Sequence, residues 1–69
     1  MNFREVTRRL KNMGCEFRRE AKGSHEIWWH PVKKRYTTIP HHGNKDIAEG
    51  TLRKILRDLE ISKSDWEKE

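Results

Sequence analysis

The chain has 69 residues, 39% of them charged and 32% hydrophobic, so it has room for one domain with a small core. Its apolar runs are two or three residues long, far short of the roughly 20 needed to cross a bilayer, which excludes a membrane-spanning role. The only cysteine, Cys15, excludes an internal disulfide. We therefore expect a soluble, cytoplasmic protein with one domain over residues 1–69.

The net charge of +5 is unevenly distributed along the chain. Residues 1–57 contain 14 Lys and Arg against 6 Asp and Glu, whereas residues 58–69 contain 2 against 5. A basic body attracts polyanions, which favours a nucleic acid or an acidic protein as partner. Solvated charges on a small soluble protein are the alternative explanation.

An amphipathic helix is predicted at the start of the chain. Asn2 and Glu5 match a capping box, so the helix should begin near Phe3. Gly14 suits the left-handed conformation that commonly ends a helix. The apolar stripe consists of Phe3, Val6, Leu10 and Met13. The rest of the circumference is basic, with Arg4, Arg8, Arg9 and Lys11.

Three antiparallel strands are predicted next. Residues 15–20 alternate in polarity, as expected of a half-buried strand. Residues 24–30 form the second strand, which ends at Pro31 because proline has no amide hydrogen to donate. Residues 35–39 form the third strand and end at Pro40. The sequence thus predicts a three-stranded meander.

Because successive side chains of a strand point to opposite faces of the sheet, the sequence predicts which residues share a face. The residues expected on the face covered by helices are Phe17, Ile27 and Ile39. Strict alternation along the second strand then places His25 and Trp29 on the side of Ile27. Trp28 and His30 would point to the opposite side. His25 is therefore expected at the rim of the covered face.

A second amphipathic helix should follow the strands. Its start stays open, since either a capping box from Asp46 to Glu49 or the pair Gly50-Thr51 can mark the boundary. Ser62 matches the N-cap of a short terminal helix within residues 62–69 that carries Trp66. Together these elements predict an α+β fold in which helices cover one face of the sheet. The apolar face of the second helix consists of Leu52, Ile55, Leu56 and Leu59.

The four histidines raise the question of a metal site. His25 and His30 are an odd number of positions apart and so point to opposite faces of a strand. Adjacent His41 and His42 diverge, and Cys15 lies elsewhere. Because zinc sites need several convergent ligands, we predict no structural metal.

Three groups of short motifs follow one another along the chain. The first is Gly23-Ser24-His25 leading into the aromatic strand and His30-Pro31. The second is Ile39-Pro40 with His42, Gly43 and Lys45. The third is Gly50-Thr51-Leu52-Arg53 with Ile55-Leu56-Arg57, followed by Ile61-Ser62. In their order and spacing these motifs resemble the HicA toxins of bacterial and archaeal toxin–antitoxin systems. The resemblance covers nearly the whole chain, and its one departure is Leu59-Glu60, where many relatives have Ala-Gly.

The resemblance implies a fold like the double-stranded-RNA-binding domain, with the order α-β-β-β-α. It also implies cleavage of mRNA that arrests translation, neutralisation by a HicB-type antitoxin, and a catalytic role for the strand histidine, His25. An imidazole exchanges protons near neutral pH, and RNA carries its own nucleophile, the 2′-hydroxyl. Such a reaction formally requires no metal or other cofactor. The candidates for assisting His25 or binding phosphate are Lys45, His42, Ser24 and Lys22.

Candidate RNA contacts lie on the first helix and on the basic tip between the second and third strands. They are Arg4, Arg8, Lys33, Lys34 and Arg35. Trp28, Trp29 and Tyr36 are able to stack on unpaired bases, although in so small a core at least one tryptophan is expected under a helix. A non-catalytic RNA-binding module and a surface that binds only an acidic protein are the competing interpretations.

Overall fold

The computed structural model describes residues 1–68. Glu69, the last residue of the predicted helical tail, lies outside the described residues. The elements are α1 (Phe3–Asn12), β1 (Glu16–Ala21), β2 (His25–His30), β3 (Arg35–Pro40), α2 (Glu49–Asp58) and α3 (Lys63–Glu67). This order, with an antiparallel sheet and a short terminal helix, confirms the predicted fold class.

Helix α1 begins where its capping box predicts. The side chain of Asn2 accepts a hydrogen bond from the backbone N–H of Glu5 at 3.0 Å, and the carboxylate of Glu5 accepts one from the N–H of Asn2 at 3.4 Å. Val6 and Leu10, on the predicted stripe, are completely buried. Gly14 follows the helix with a φ of +94°, the left-handed conformation expected of it.

The sheet has the order β1-β2-β3, so β2 is the central strand. His25 pairs with Pro40 at one end of the β2–β3 ladder, and His30 pairs with Arg35 at the other end. Pro40 is tolerated within β3 because this is an edge strand, where a missing amide hydrogen is less costly. The register thus separates His25 from the basic hairpin tip by the full length of a strand.

A β-bulge interrupts β1. The register shifts between Phe17, which pairs with Trp28, and Arg19, which pairs with Ile27. The extra residue is Arg18, whose guanidinium carbon lies 4.9 Å from the ring centroid of Trp29. Because a bulge places two residues opposite one, Arg18 and Arg19 both lie on the side of the sheet that carries Trp29 and Ile27.

The core lies between the helices and one face of the sheet. From the sheet, Trp28 and Ile39 enter it, with 3% and 0% of their surface exposed. His30 is buried on the same face, and its Nδ1 accepts a hydrogen bond from the N–H of Lys33 at 3.3 Å. The remaining core residues are Val6, Leu10, Cys15, Ile55, Leu56, Leu59, Ile61 and Trp66.

The predicted facing of the sheet is wrong for Ile27 and right for Ile39. Ile27 is only partly buried and lies on the face turned away from the helices, which we call the open face. Phe17 pairs with Trp28 on the covered face but is 48% exposed at the sheet edge. His25 follows Ile27 and therefore lies on the open face, not at the rim of the covered one. Alternation gives each face of β2 an apolar residue, so packing against the helices, where Trp28 joins the core, decides which face is covered.

Helix α2 begins at Glu49, and the proposed capping box from Asp46 is not formed. Ala48 is the N-cap, without a side-chain hydrogen bond. Asp46 instead forms an isolated bridge with Asn2, and the N–H of Ile47 donates to the carbonyl of Met1 at 2.7 Å. The segment before α2 is thus tied to the start of α1.

The terminal helix is confirmed. Its predicted cap is formed, because Ser62 Oγ accepts from the N–H of Asp65 at 3.0 Å. Trp66 is 4% exposed within the core and anchors α3, as expected.

Candidate active-site cleft

His25 is the first residue of β2 and directly follows the turn formed by residues 22–24. Gly23 has a φ of +74° in that turn, a conformation that glycine adopts without steric cost. His25 Nδ1 lies 3.2 Å from the carbonyl oxygen of Lys22. A carbonyl oxygen only accepts, so Nδ1 donates this hydrogen bond and Nε2 is left as the nitrogen that can take up a proton.

An open cleft of about 490 Å³ lies beside His25, where the end of the open face meets the loop 41–48 and α2. Three of the predicted site residues, His25, His42 and Lys45, line this cleft together. The rings of His25 and His42 are 6.2 Å apart between centroids, at 79° to each other. The other lining residues are Thr38, Pro40, Asp46, Ile47, Ala48, Thr51 and Lys54.

The loop that carries His42 is fixed by its neighbour, His41. The N–H of His41 donates to the carbonyl of Ser24 at 2.6 Å. Its ring stacks on Phe3, with centroids 3.8 Å apart and planes 10° apart, and its Nδ1 lies 3.6 Å from a carboxylate oxygen of Glu26. His41 therefore packs against α1 while His42 borders the cleft.

Lys22 and Ser24, two further predicted assisting residues, contribute through their backbones. The carbonyl of Lys22 orients the ring of His25, and the carbonyl of Ser24 holds the loop through His41. Both residues are exposed, and neither side chain lines the cleft. Every residue has a backbone carbonyl, so these two contacts cannot be predicted from the identity of residues 22 and 24.

Lys54, Thr38 and Thr51 also line the cleft and were not among the predicted site residues. Lys54 Nζ donates to the carboxylate of Asp58 at 2.9 Å, one helical turn further on. The available signal was the spacing of Thr51 and Lys54 on one face of α2, which sequence periodicity assigns to solvent. Their approach to the sheet depends on how α2 packs beside β3.

Asp58 holds this side of α2 to the sheet. Its carboxylate also accepts a hydrogen bond from Thr37 Oγ1 at 3.0 Å. Burial acts to raise the pKa of Asp58, but the hydrogen bonds from Lys54 and Thr37 and the charges of Lys54 and Arg57 outweigh it and hold the pKa below its usual value. Asp58 thus remains an anion that keeps Lys54 beside the cleft.

The basic hairpin tip lies away from the cleft. Five residue steps along β2 separate His25 from His30, a distance of about 16 Å. Lys33 Nζ donates to the carbonyl of Glu60, and Arg35 Nε donates to the carbonyl of Asp58 at 3.1 Å. Both cations thus contact the C-terminal end of α2, where the helix dipole is negative. Exposed Lys34 adjoins them, while Arg4 and Arg8 are exposed on α1.

Two further findings concern residues 1–68. Within them, no group of three or more His, Cys, Asp or Glu side chains is arranged to hold a metal ion. No helix in this range has the length and apolar character needed to span a membrane.

Fold and cleft together define a small basic α+β protein with two histidines and two lysines in a cleft at one end of its sheet. A family model described as "HicA toxin of bacterial toxin-antitoxin" matches residues 3–61. The chain belongs to the HicA toxin family, and is thus the toxin of a toxin–antitoxin pair. No curated protein and no solved structure matches it.

Proposed function

We propose that this toxin is an endoribonuclease that cleaves mRNA and thereby arrests translation, with His25 as its catalytic residue. The observation that carries the proposal is the shared cleft of His25, His42 and Lys45 in a member of the HicA toxin family. The open cleft leaves the reacting groups accessible to a long polymer.

The reaction is an attack of the RNA 2′-hydroxyl on the adjacent phosphorus. His25 Nε2 removes the 2′-hydroxyl proton as the bond from O2′ to phosphorus forms. The bond from phosphorus to O5′ then breaks, and the leaving oxygen takes up a proton. General acid–base assistance of this kind is worth roughly 10² to 10⁴ in rate.

Two neighbours of His25 fit the remaining tasks. His42 is near enough to contact the same phosphodiester from another side, as proton donor or phosphate ligand. Lys45 supplies positive charge to the phosphorane-like transition state, where preorganised cations act most strongly. Since RNA supplies the nucleophile, this chemistry needs no metal and no organic cofactor.

The partner that neutralises the toxin is proposed to be a HicB-type antitoxin. A basic protein surface favours association with an acidic partner through long-range attraction. Covering the cleft would stop cleavage by excluding RNA from His25.

The test compares the purified protein with its His25→Ala variant on a defined RNA in the presence of EDTA. We expect cleavage by the wild type and a loss of about 10² to 10⁴ in rate for the variant. His25 is only partly buried, so circular dichroism and the thermal midpoint should show that the variant is folded.

A matched pair of lysine variants tests the electrostatic part. Lys45→Ala should slow cleavage. Lys68→Ala should not, because it removes the same charge from a site beside His30 and Lys33, at the opposite end of β2 from His25. Undiminished cleavage by His25→Ala would refute the catalytic role. Salt-sensitive RNA binding without cleavage by the wild type would instead support the alternative function, a non-catalytic RNA-binding module.

A further inference from the structure

The open face of the sheet carries an aromatic pair that the core does not use. Trp29 and Tyr36 are cross-strand partners, with ring centroids 5.1 Å apart and planes 39° apart. Tyr36 is 51% exposed, although burying a ring of this size would stabilise so small a protein. A tyrosine left this exposed beside a partly buried tryptophan is an apolar patch of the kind that marks an interaction surface.

The same face is positively charged beside the aromatic pair. The guanidinium carbon of Arg18 lies 4.9 Å from the centroid of Trp29 and 5.6 Å from that of Tyr36. Arg19 joins it on this face because of the bulge in β1. Glu16, which pairs with Trp29, is the acidic residue on this side of β1, so the arginines outnumber it.

This surface is continuous with the candidate cleft. Alternation along β2 places His25, Ile27 and Trp29 on the open face, with Trp29 about 13 Å from His25. Thr38, the cross-strand partner of Ile27, lines the cleft and also borders the depression beside Arg18 and Tyr36. An RNA chain bound along the open face would therefore run from the aromatic pair to His25.

We infer that Arg18, Trp29 and Tyr36 form a stacking platform for single-stranded RNA, which positions the strand so that its scissile phosphate reaches the His25 cleft. This inference rests on the proposed ribonuclease function and adds the class of RNA and its path. Aromatic rings and guanidinium planes stack on any unpaired base, and the two arginines complement the phosphates. Bases inside a duplex are already stacked and cannot reach the rings, so the platform selects single strands.

Binding is measured in the His25→Ala background, so that RNA stays intact. The probes are a fluorescently labelled single-stranded RNA and a duplex of the same sequence, followed by anisotropy. Tyr36→Leu and Arg18→Ala should each raise the Kd for the single strand, by about five-fold to one hundred-fold for Tyr36→Leu, the loss of one base stack. Tyr36→Leu removes no charge, so it should change the Kd for the duplex by no more than about two-fold, a factor worth only ~0.4 kcal/mol. Arg18→Ala also removes a phosphate contact and should weaken duplex binding, but less than single-strand binding.

Phe17→Leu is the matched control. Phe17 is as exposed as Tyr36, at 48%, but it pairs with Trp28 on the covered face. Its substitution should leave the Kd for RNA unchanged. Tyr36→Phe keeps the ring and should restore affinity, which separates stacking from loss of folding.

The outcomes distinguish the platform from the ribonuclease function. Unchanged single-strand affinity in both Tyr36→Leu and Arg18→Ala would overturn the platform and leave the open face to a protein partner. Equal weakening of single-strand and duplex binding would also overturn it. Cleavage by the wild type that depends on His25 would still support the function in either case.

Discussion

The exit of the chain from α2 provides a quantitative test of the fold. Glu60 has a φ of +56°, in the left-handed region that side chains other than glycine rarely adopt. This conformation lets the N–H of Glu60 donate to Arg57 at 3.1 Å and the N–H of Ile61 donate to Leu56 at 2.9 Å. Glu60 thus stands where glycine ordinarily ends a helix.

The expected magnitude follows from comparing Glu60→Gly with Glu60→Ala. Both variants lose the exposed ion pair with Arg35, 3.8 Å long, so its small contribution cancels. Alanine keeps the left-handed strain, roughly 1–2 kcal/mol, while glycine costs roughly 0.5–1 kcal/mol more unfolded-chain entropy. Glu60→Gly should therefore be the more stable variant by about 0.5–1 kcal/mol.

The free energy of unfolding is measured by urea denaturation. Arg53 provides the control, because it is exposed within α2 and has ordinary helical neighbours. There the order reverses, and Arg53→Gly should be less stable than Arg53→Ala by about 1 kcal/mol. A Glu60→Gly variant no more stable than Glu60→Ala would refute the left-handed exit from α2.

Two further predictions follow from the pKa shifts. The lowered pKa of Asp58 means that its stabilising contribution is complete above the unfolded-state pKa, about 4, and is lost as the pH falls below it. Asp58→Asn should therefore be less stable than the wild type near neutral pH, and the difference in urea midpoint should shrink in acid; a pH-independent difference would contradict this. Burial raises the pKa of the Cys15 thiol to about 11, against the opposing charge of Lys33. The folded protein should thus resist iodoacetamide at neutral pH and react only on unfolding, whereas rapid labelling of the native state would count against a buried Cys15.

Short-range sequence patterns were sufficient to predict helices α1 and α3. The capping boxes and apolar spacings of α1 and α3 involve residues three or four apart, so they are readable without knowledge of the tertiary fold. The start of α2 was not readable in this way. Asp46 engages Asn2 and the amino terminus, contacts between distant parts of the chain that remove it from the helix.

The sequence of β2 alone does not determine which of its side chains point towards the helices. Ile27, Trp28 and Trp29 are consecutive apolar residues, so alternation supplies an apolar residue to each face whichever face is covered. The covered face is set by the fit of Trp28 against the helices. For the same reason, residue spacing did not predict that His42 and Lys45 would meet His25, and the family resemblance supplied that grouping.

The bulge in β1 has the largest effect on the proposed function. Strict alternation would put Arg18 and Arg19 on opposite faces, and nothing in the sequence around them, such as a glycine, indicates a bulge. With the bulge, both arginines share the open face with Trp29, and the open face is also where His25 lies. Had the face that carries His25 been the covered one, Trp29 would have been buried under the helices on the same face and closed to RNA. The proposed path of RNA thus depends on two facts of register. Deleting Arg18 would restore regular pairing and leave Arg19 opposite Ile27 on the open face, so it should weaken single-strand binding about as much as Arg18→Ala does.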